Sequence, residues 1–382
     1  MKKHLLAAAV TAAFAVPAVA QVTVYGLIDA GYATSDISYG AGKSIKQKMV
    51  GGIHSGNGTG TLSGSRLGFR GSEDIGGGLK VDFVYEVGVN YSSGTAATST
   101  AAASDATLGN STLFAATRQG FLGLSGSFGT VRIGQQNSIT KVTTESMDPG
   151  AGSSITGAAS LYQLGLSTTR PDVITYMSPT FNGFQIMAQS DVGETTTSES
   201  IGKDSHSTSI GATFKSGPIS VVASTESRKE VLYVSSATAG LVSLTSDSVN
   251  GPQGASNKTF DEVTQQTLGA SYKLGMATVS VLSTQLKFKD ATAADNGKID
   301  NSLVGVTVPL GNLSLMLSLS QGSIEDNGTE TFDTSAHQFI AQYNLSKRTN
   351  AYAAMGQTKF DSPTANKDVK IKQVGIGLRH SF

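Results

Sequence analysis

KQVGIGLRHSF, Lys372 to Phe382, closes the chain and decides how the rest of it is read. Val374, Ile376, Leu378, His380 and Phe382 fall on one face of an extended chain, and Gln373, Gly375, Gly377, Arg379 and Ser381 fall on the other. A strict period of two with one apolar face describes a half-buried strand. In water such a terminal strand is an unprotected apolar edge, which soluble proteins avoid. The placement makes sense when the strand pairs with the start of the mature chain and closes a barrel whose outside meets lipid, because closure alone removes the edges.

The opposite end repeats the pattern. Val22, Val24, Ile28 and Tyr32 alternate with Thr23, Tyr25, Leu27 and Asp29, and in SRLGFRG Arg66, Gly68 and Arg70 face away from Leu67 and Phe69. After a turn at 73–78 comes the longest alternation: Leu79, Val81, Phe83, Tyr85, Val87, Val89 and Tyr91 against Lys80, Asp82, Val84, Glu86, Gly88 and Asn90. An apolar face of that length fits a strand tilted through a bilayer. Short turns are expected at 73–78, 126–130, 179–183, 215–218, 273–276, 309–312 and 345–349. Long polar connections are expected at 34–62, 92–112, 136–170, 193–206, 227–264, 288–300, 322–335 and 360–371. Seven short and eight long connections join sixteen strands, an antiparallel transmembrane β-barrel with both chain ends on the short-turn side. Each strand with its connection has roughly 23 residues, ample for the 9–11 that a membrane strand needs.

The first twenty residues read as a secretory signal. Lys2 and Lys3 precede an apolar stretch from Leu5 to Val16, and Ala18-Val19-Ala20 forms a small-residue cleavage site. The expected organisation is therefore a cleaved signal, 1–20, and one barrel domain, 21–382. The chain has 28 basic and 28 acidic residues, and loss of Lys2 and Lys3 leaves the barrel slightly acidic, which argues against nucleic acid as a partner. No later apolar run is long enough for a membrane helix. Hydrophobic residues make up 38%, below the usual share of about 45–50%, as suits strands that turn only one face to lipid.

Several motifs carry no chemistry. Gly42-Lys43-Ser44 resembles the end of a phosphate loop, but Ile37 stands where its first glycine belongs and no strand-to-helix context follows. His54, His206, His337 and His380 have no metal-ligand spacing. There is no complete GxSxG and no cysteine, so no catalytic group, cofactor or metal is expected. The informative constellation is electrostatic. Arg66, Arg118 and Arg132 lie in strand stretches, and the alternation points Arg66 and Arg132 inward. The connection 136–170 then brings Glu145 and Asp148, on either side of Met147. If that connection folds into the lumen, its carboxylates face the arginines across a narrow wet gap, and ions crossing it feel a transverse field. Otherwise the arginines are solvated lumen charges and the acids lie on an outer loop. Arg118 shares a face with Leu122 and Leu124, so either a bulge shifts the register or part of that outer face meets protein, such as a neighbouring subunit.

At VTVYGLIDAGY (Val22 to Tyr32), SRLGFRGSEDIGGGLK (Ser65 to Lys80), GLSGSFGTVRIGQQ (Gly123 to Gln136), YMSPTFNGF (Tyr176 to Phe184), LSKRTNAYAAMG (Leu345 to Gly356) and VGIGLRHSF (Val374 to Phe382), the chain resembles the Gram-negative general porins of the beta-proteobacterial type. The resemblance implies a homotrimer of sixteen-stranded barrels in outer-membrane lipid. Each would be narrowed by an inward-folded third loop and pass small hydrophilic solutes and ions. Phe382 would be the C-terminal signal read by the outer-membrane assembly machinery. It places pore arginines at Arg66 and Arg118 and a strand carboxylate near the constriction at Glu86. Arg170 matches a family arginine with an offset of one position next to Pro171, and Gln135 replaces the arginine of the family's LGRQ, leaving a modest anion preference. The readings that compete with a passive channel are an adhesin or receptor acting through loops such as 227–264, and an outer-membrane hydrolase.

Overall fold

Because strand residues alternate between two faces, a closed sheet requires a register in which every apolar face points the same way. The computed structural model describes residues 22–40, 42–51, 61–89, 114–150, 153, 155, 157, 161, 169–192, 206–233, 258–289, 296–364 and 367–382. The expected signal, 1–20, lies outside the described residues, as do His54, the connection at 92–112 and most of those at 193–206 and 227–264. Among the described residues the strand segments are β1 (Thr23–Tyr39), β2 (Lys43–Gly51), β3 (Arg66–Gly76), β4 (Leu79–Val89), β5 (Phe114–Gly126), β6 (Gly129–Asn137), β7 (Thr169–Met177), β8 (Phe184–Asp191) and β9 (His206–Ser216). They continue as β10 (Ile219–Tyr233), β11 (Lys258–Leu274), β12 (Ala277–Lys289), β13 (Gly297–Leu310), β14 (Leu313–Asp326), β15 (Thr329–Asn344), β16 (Thr349–Asp361) and β17 (Val369–Ser381).

All pairings are antiparallel, and β17 returns to β1 with Ser381 opposite Leu27 and Val369 opposite Tyr39. The barrel is closed. β1 pairs with β2 through residues 31–39 and with β3 through residues 23–27, so β2 and β3 are two parts of one barrel position. Seventeen segments thus make sixteen staves. At the seam the Phe382 N–H donates to the Gly26 carbonyl at 3.1 Å and the Gly26 N–H donates back at 3.2 Å. The Phe382 ring lies over Gly26, where any side chain would collide with it.

The apolar faces point outward: Ile376 is 59% exposed, whereas Gln373 on the opposite face of β17 is 3% exposed. The seven short turns join β3 to β4, β5 to β6, β7 to β8, β9 to β10, β11 to β12, β13 to β14 and β15 to β16. The expected long connections need correction. Segment 322–335 is strand except for a two-residue hairpin, Asn327-Gly328, with φ of 51° and 74°, the positive values that match the twist of paired strands. The segment 34–62 likewise holds the end of β1, a turn and β2, and 360–371 holds strand at both ends. Gly42 ends the turn after β1 and Lys43-Ser44 open β2, so the motif has no helix to offer a phosphate. Strands this long outrun the membrane, and beyond it the outward positions turn polar, as at Gln321, Ser323, Asp333 and Ser335.

The inner face is not uniformly wet. Phe260, Phe288, Ile299, Phe332, Phe360 and Ile371, on β11 to β17, are buried together with Leu161 of the connection after β6. Phe288 alternates with the exposed residues of β12, so this cluster lies on the side away from lipid.

Candidate pore constriction

After β6 the chain forms a short helix, α1 (Ile139–Glu145), capped by Ser138, whose side chain accepts from the Lys141 N–H at 3.0 Å. So short a helix is marginal alone and depends on packing. Ile139, Thr140, Thr143 and Thr144 are buried, α1 lies against β8 to β11, and Thr143 Oγ1 is 2.8 Å from Ser224 Oγ. Missing side chains on the strands make the seats: one at Gly211 would collide with Ile139, one at Gly269 with Met147 and one at Gly305 with Pro149. Met147 packs with Val222, Leu282 and Leu303. Further along, Ser318 Oγ donates to Asp148 at 2.8 Å, Gln338 Nε2 donates to the Ile155 carbonyl at 2.6 Å, and Thr358 Oγ1 donates to the Gly157 carbonyl at 3.4 Å. These strand residues alternate with the exposed Ile210, Leu268, Val304, Leu317 and Phe339, and so belong to the face away from lipid.

Lys141 and Glu145 occupy the other side of α1, one turn apart. Burial lowers the Lys141 ammonium and raises the Glu145 carboxyl from their ordinary values, while each partly restores the other. Arg118 and Arg66 also act electrostatically on both groups. Glu86 is the hub of that wall. Arg118 Nε donates to its Oε1 at 2.8 Å, Tyr25 O–H donates to its Oε2 at 3.0 Å, and Arg66 Nε is 3.9 Å from Oε2. Arg118 gets there through a bulge. Glu86 is opposite Gln119 and Val87 is opposite Thr117, so Arg118 is an additional residue on β5 and turns inward, while Leu122 and Leu124 stay exposed. The bulge accounts for the irregular pattern without a subunit contact.

The other expected residues sit elsewhere. Asp148 fastens the connection to β14 rather than presenting a free carboxylate to Arg66 and Arg118. Arg132 pairs with Asp82 at 3.6 Å and lies over the Phe121 ring at 4.5 Å. It is opposite Gly123, which at about 3.3 Å per residue is roughly 15 Å along β5 from Arg118. Arg170 Nε donates to Glu226 Oε1 at 2.9 Å, and the two side chains are only 3% and 1% exposed. Gly134 faces Val173 and Gln136 faces Arg170, so β7 carries one residue more than β6 at Pro171-Asp172, where Asp172 has φ of 49°. That bulge puts Arg170 on the inner face. Gln135 donates to the Thr117 carbonyl beside Arg118.

A closed barrel with charged residues gathered at one inner level is what a family comparison must account for. The family model described as Gram-negative porin matches residues 7–363. The chain belongs to the Gram-negative porins. Outer membrane porin protein 32 of Delftia acidovorans is 28% identical over the whole of both chains, and the major outer membrane protein P.IB of Neisseria sicca is 29% identical, again over the whole of both. An anion-selective porin from Comamonas acidovorans has a solved structure that covers 95% of this chain and 100% of its own, with a TM-score of 0.69 at 23% identity, a likeness that carries the fold. This chain is an outer-membrane β-barrel that works as a general diffusion porin.

Sequence reasoning missed several groups of this porin's charged wall. Lys141 is legible only as a Lys–Glu pair four residues apart, the spacing of neighbours on a helix face. Tyr25 is visible as an inward residue of β1 but not as a donor to Glu86. Arg379 lies opposite Asp29 on β17, donates to Gln342 Oε1 at 2.7 Å and approaches Ser63 Oγ at 3.4 Å. Long-range pairs of this kind leave no local trace.

Proposed function

We propose that the connection after β6 is the inward-folded third loop of this porin, and that its narrowest point lies between α1 and the wall of Arg66, Glu86 and Arg118. The observation that carries this is the seating of α1, Met147, Asp148, Pro149, Ile155 and Gly157 on inner-face residues of β9 to β16, with Lys141 and Glu145 left facing the arginines. Solutes there meet three cations, Arg66, Arg118 and Lys141, against two carboxylates, Glu86 and Glu145. The surplus of one positive charge supports a modest anion preference among small hydrophilic solutes and ions. Arg132 makes a second, lower contribution on the same wall, and Arg170 acts as a buried brace.

The reading extends to assembly. In this reading 1–20 is removed on export, the outer-membrane assembly machinery recognises Phe382, and the barrel forms a homotrimer in outer-membrane lipid; the trimer is supported by the trimer form recorded for OmpT of Vibrio cholerae, whose fold is alike at a TM-score of 0.58. The chain acts as a channel rather than as an enzyme. The test is the reversal potential of the purified porin in a planar bilayer under a salt gradient. An anion-selective sign that fades toward zero as salt rises is expected, since the Debye length falls from about 10 Å at 0.1 M to about 3 Å at 1 M. A cation-selective sign at low salt refutes the assignment.

A further inference from the structure

We propose that residues 61–65 are a second inward-folded segment bounding the pore, and that Asp29 is the residue that positions it. The proposal rests on the constriction described above but draws on different residues. Among the described residues the ladder of β1 with β2 ends at Gly31 and the ladder with β3 begins at Leu27, which leaves residues 28–30 of β1 between the two. At this gap in the wall Asp29 is fully buried, a poor place for a carboxylate unless it is well hydrogen-bonded. Its Oδ1 accepts from Tyr352 O–H at 2.7 Å and its Oδ2 from the Ser63 N–H at 2.8 Å, while its own N–H donates to Ser65 Oγ at 3.0 Å.

The segment so held lies along the inner face of the neighbouring strands. Leu62 packs with Ile340, Tyr352 and Ala354 of β15 and β16 and with Ile155 of the third loop. Two segments from different parts of the chain therefore meet on the inner face, and together they occupy the sector beside β16, β17 and β1. What remains open is the sector in front of Arg66 and Arg118. Arg66 is the first residue of β3 after the segment, and the Ser65 carbonyl accepts from the Val89 N–H at 2.9 Å, so the direction in which Arg66 leaves is set by the anchor. Among the described residues the charged group facing Asp29 is Arg379, opposite it on β17. Asp29 is thus a positioning residue, which acts on permeation through where it holds the segment.

The test uses the full porin in planar bilayers. The chain has no cysteine, so Ser63→Cys gives a single target for a sulfonate-bearing methanethiosulfonate. Ser63 is half-buried, the exchange of oxygen for sulfur keeps its shape, and its short bond to Asp29 is made by the backbone N–H, which the substitution leaves in place. Arg379 Nη1, 3.4 Å from Ser63 Oγ, draws the anionic reagent to the thiol. A stepwise fall in the conductance of each channel is expected. In parallel, conductance is measured at 1 M salt, where the Debye length of about 3 Å leaves geometry rather than charge in control. Asp29→Ala is expected to raise it by releasing the segment, Asp29→Asn to stay near the parent because the amide oxygen still accepts, and Tyr352→Phe to rise in the same direction should Asp29→Ala fail to fold. No current change on treating the Ser63→Cys variant overturns the proposal, as does equal conductance of Asp29→Ala and Asp29→Asn, which marks Asp29 as a charge and nothing more. The selectivity of the unmodified porin is untouched by either result, so failure here and failure of the constriction remain separable.

Discussion

Replacing Arg66 and Arg118 together with glutamine changes the balance of the gap from one surplus positive charge to one surplus negative charge. Their side chains are 28% and 23% exposed, so passing ions reach them, and each glutamine retains a donor for Glu86. An ion about 5 Å from a guanidinium in a water-like dielectric feels about 0.8 kcal/mol. Screening at 0.1 M, with a Debye length near 10 Å, reduces this to about 0.5 kcal/mol. An anion gains that amount and a cation loses it, so each arginine moves the anion-to-cation permeability ratio by about 1 kcal/mol and the pair by about 2 kcal/mol, roughly thirtyfold. At 1 M the same calculation leaves only about threefold. The assay is the reversal potential of the double variant and the parent across a salt gradient at both concentrations. The expected result is a change of sign at low salt and a much smaller difference at high salt. An unchanged reversal potential at low salt would show that ions do not pass these arginines.

Acidification should raise anion preference at a pH above that of an ordinary carboxylate, because burial holds the Glu145 carboxyl high and its neutralisation removes a negative charge from the gap; Glu145→Gln should abolish that step in a pH series of reversal potentials. Arg170→Ala should cost about 3–5 kcal/mol by stranding Glu226, while the joint change Arg170→Met and Glu226→Leu should be far milder, as read from heat-driven unfolding in detergent. Gly269→Val should displace Met147 from its seat and raise single-channel conductance by loosening the third loop. Deleting Phe382 should lower the yield of folded barrel in heat-modifiability gels, since it removes two hydrogen bonds at the seam and the ring over Gly26.

What the sequence discloses is set by range. Alternation along Val374, Ile376 and Leu378 is local, and it places the lipid face and the seam correctly. It also marks Arg118 as a conflict, because one additional residue inverts parity, but parity alone does not choose between a bulge and a subunit contact; the pairing of Glu86 with Gln119 does. The strand ends at 322–335 look like loops in the sequence because the lipid face ends there: Gln321, Ser323, Asp333 and Ser335 take the outward positions, and the apolar Ile324 and Phe332 turn inward. The acids after β6 are legible as a group, yet Asp148 is engaged by Ser318 on a strand far along the chain, and only Glu145 is left toward the arginines. The seats at Gly211, Gly269 and Gly305 are empty spaces, which composition registers merely as glycine.

Among the described residues the phenylalanines packed inside β11 to β16 fill that arc of the barrel with side chains, while the arginines of the proposed constriction stand on the wall of β3 to β5. Permeation and surface variation are thereby assigned to different arcs of the rim. A longer hairpin in place of Asn327-Gly328 would stand above packed side chains and leave the water column unaffected, whereas the same insertion above β3 to β6 would overhang the aqueous path. A lineage under pressure to alter its exposed surface can change the packed arc freely while continuing to feed through the other.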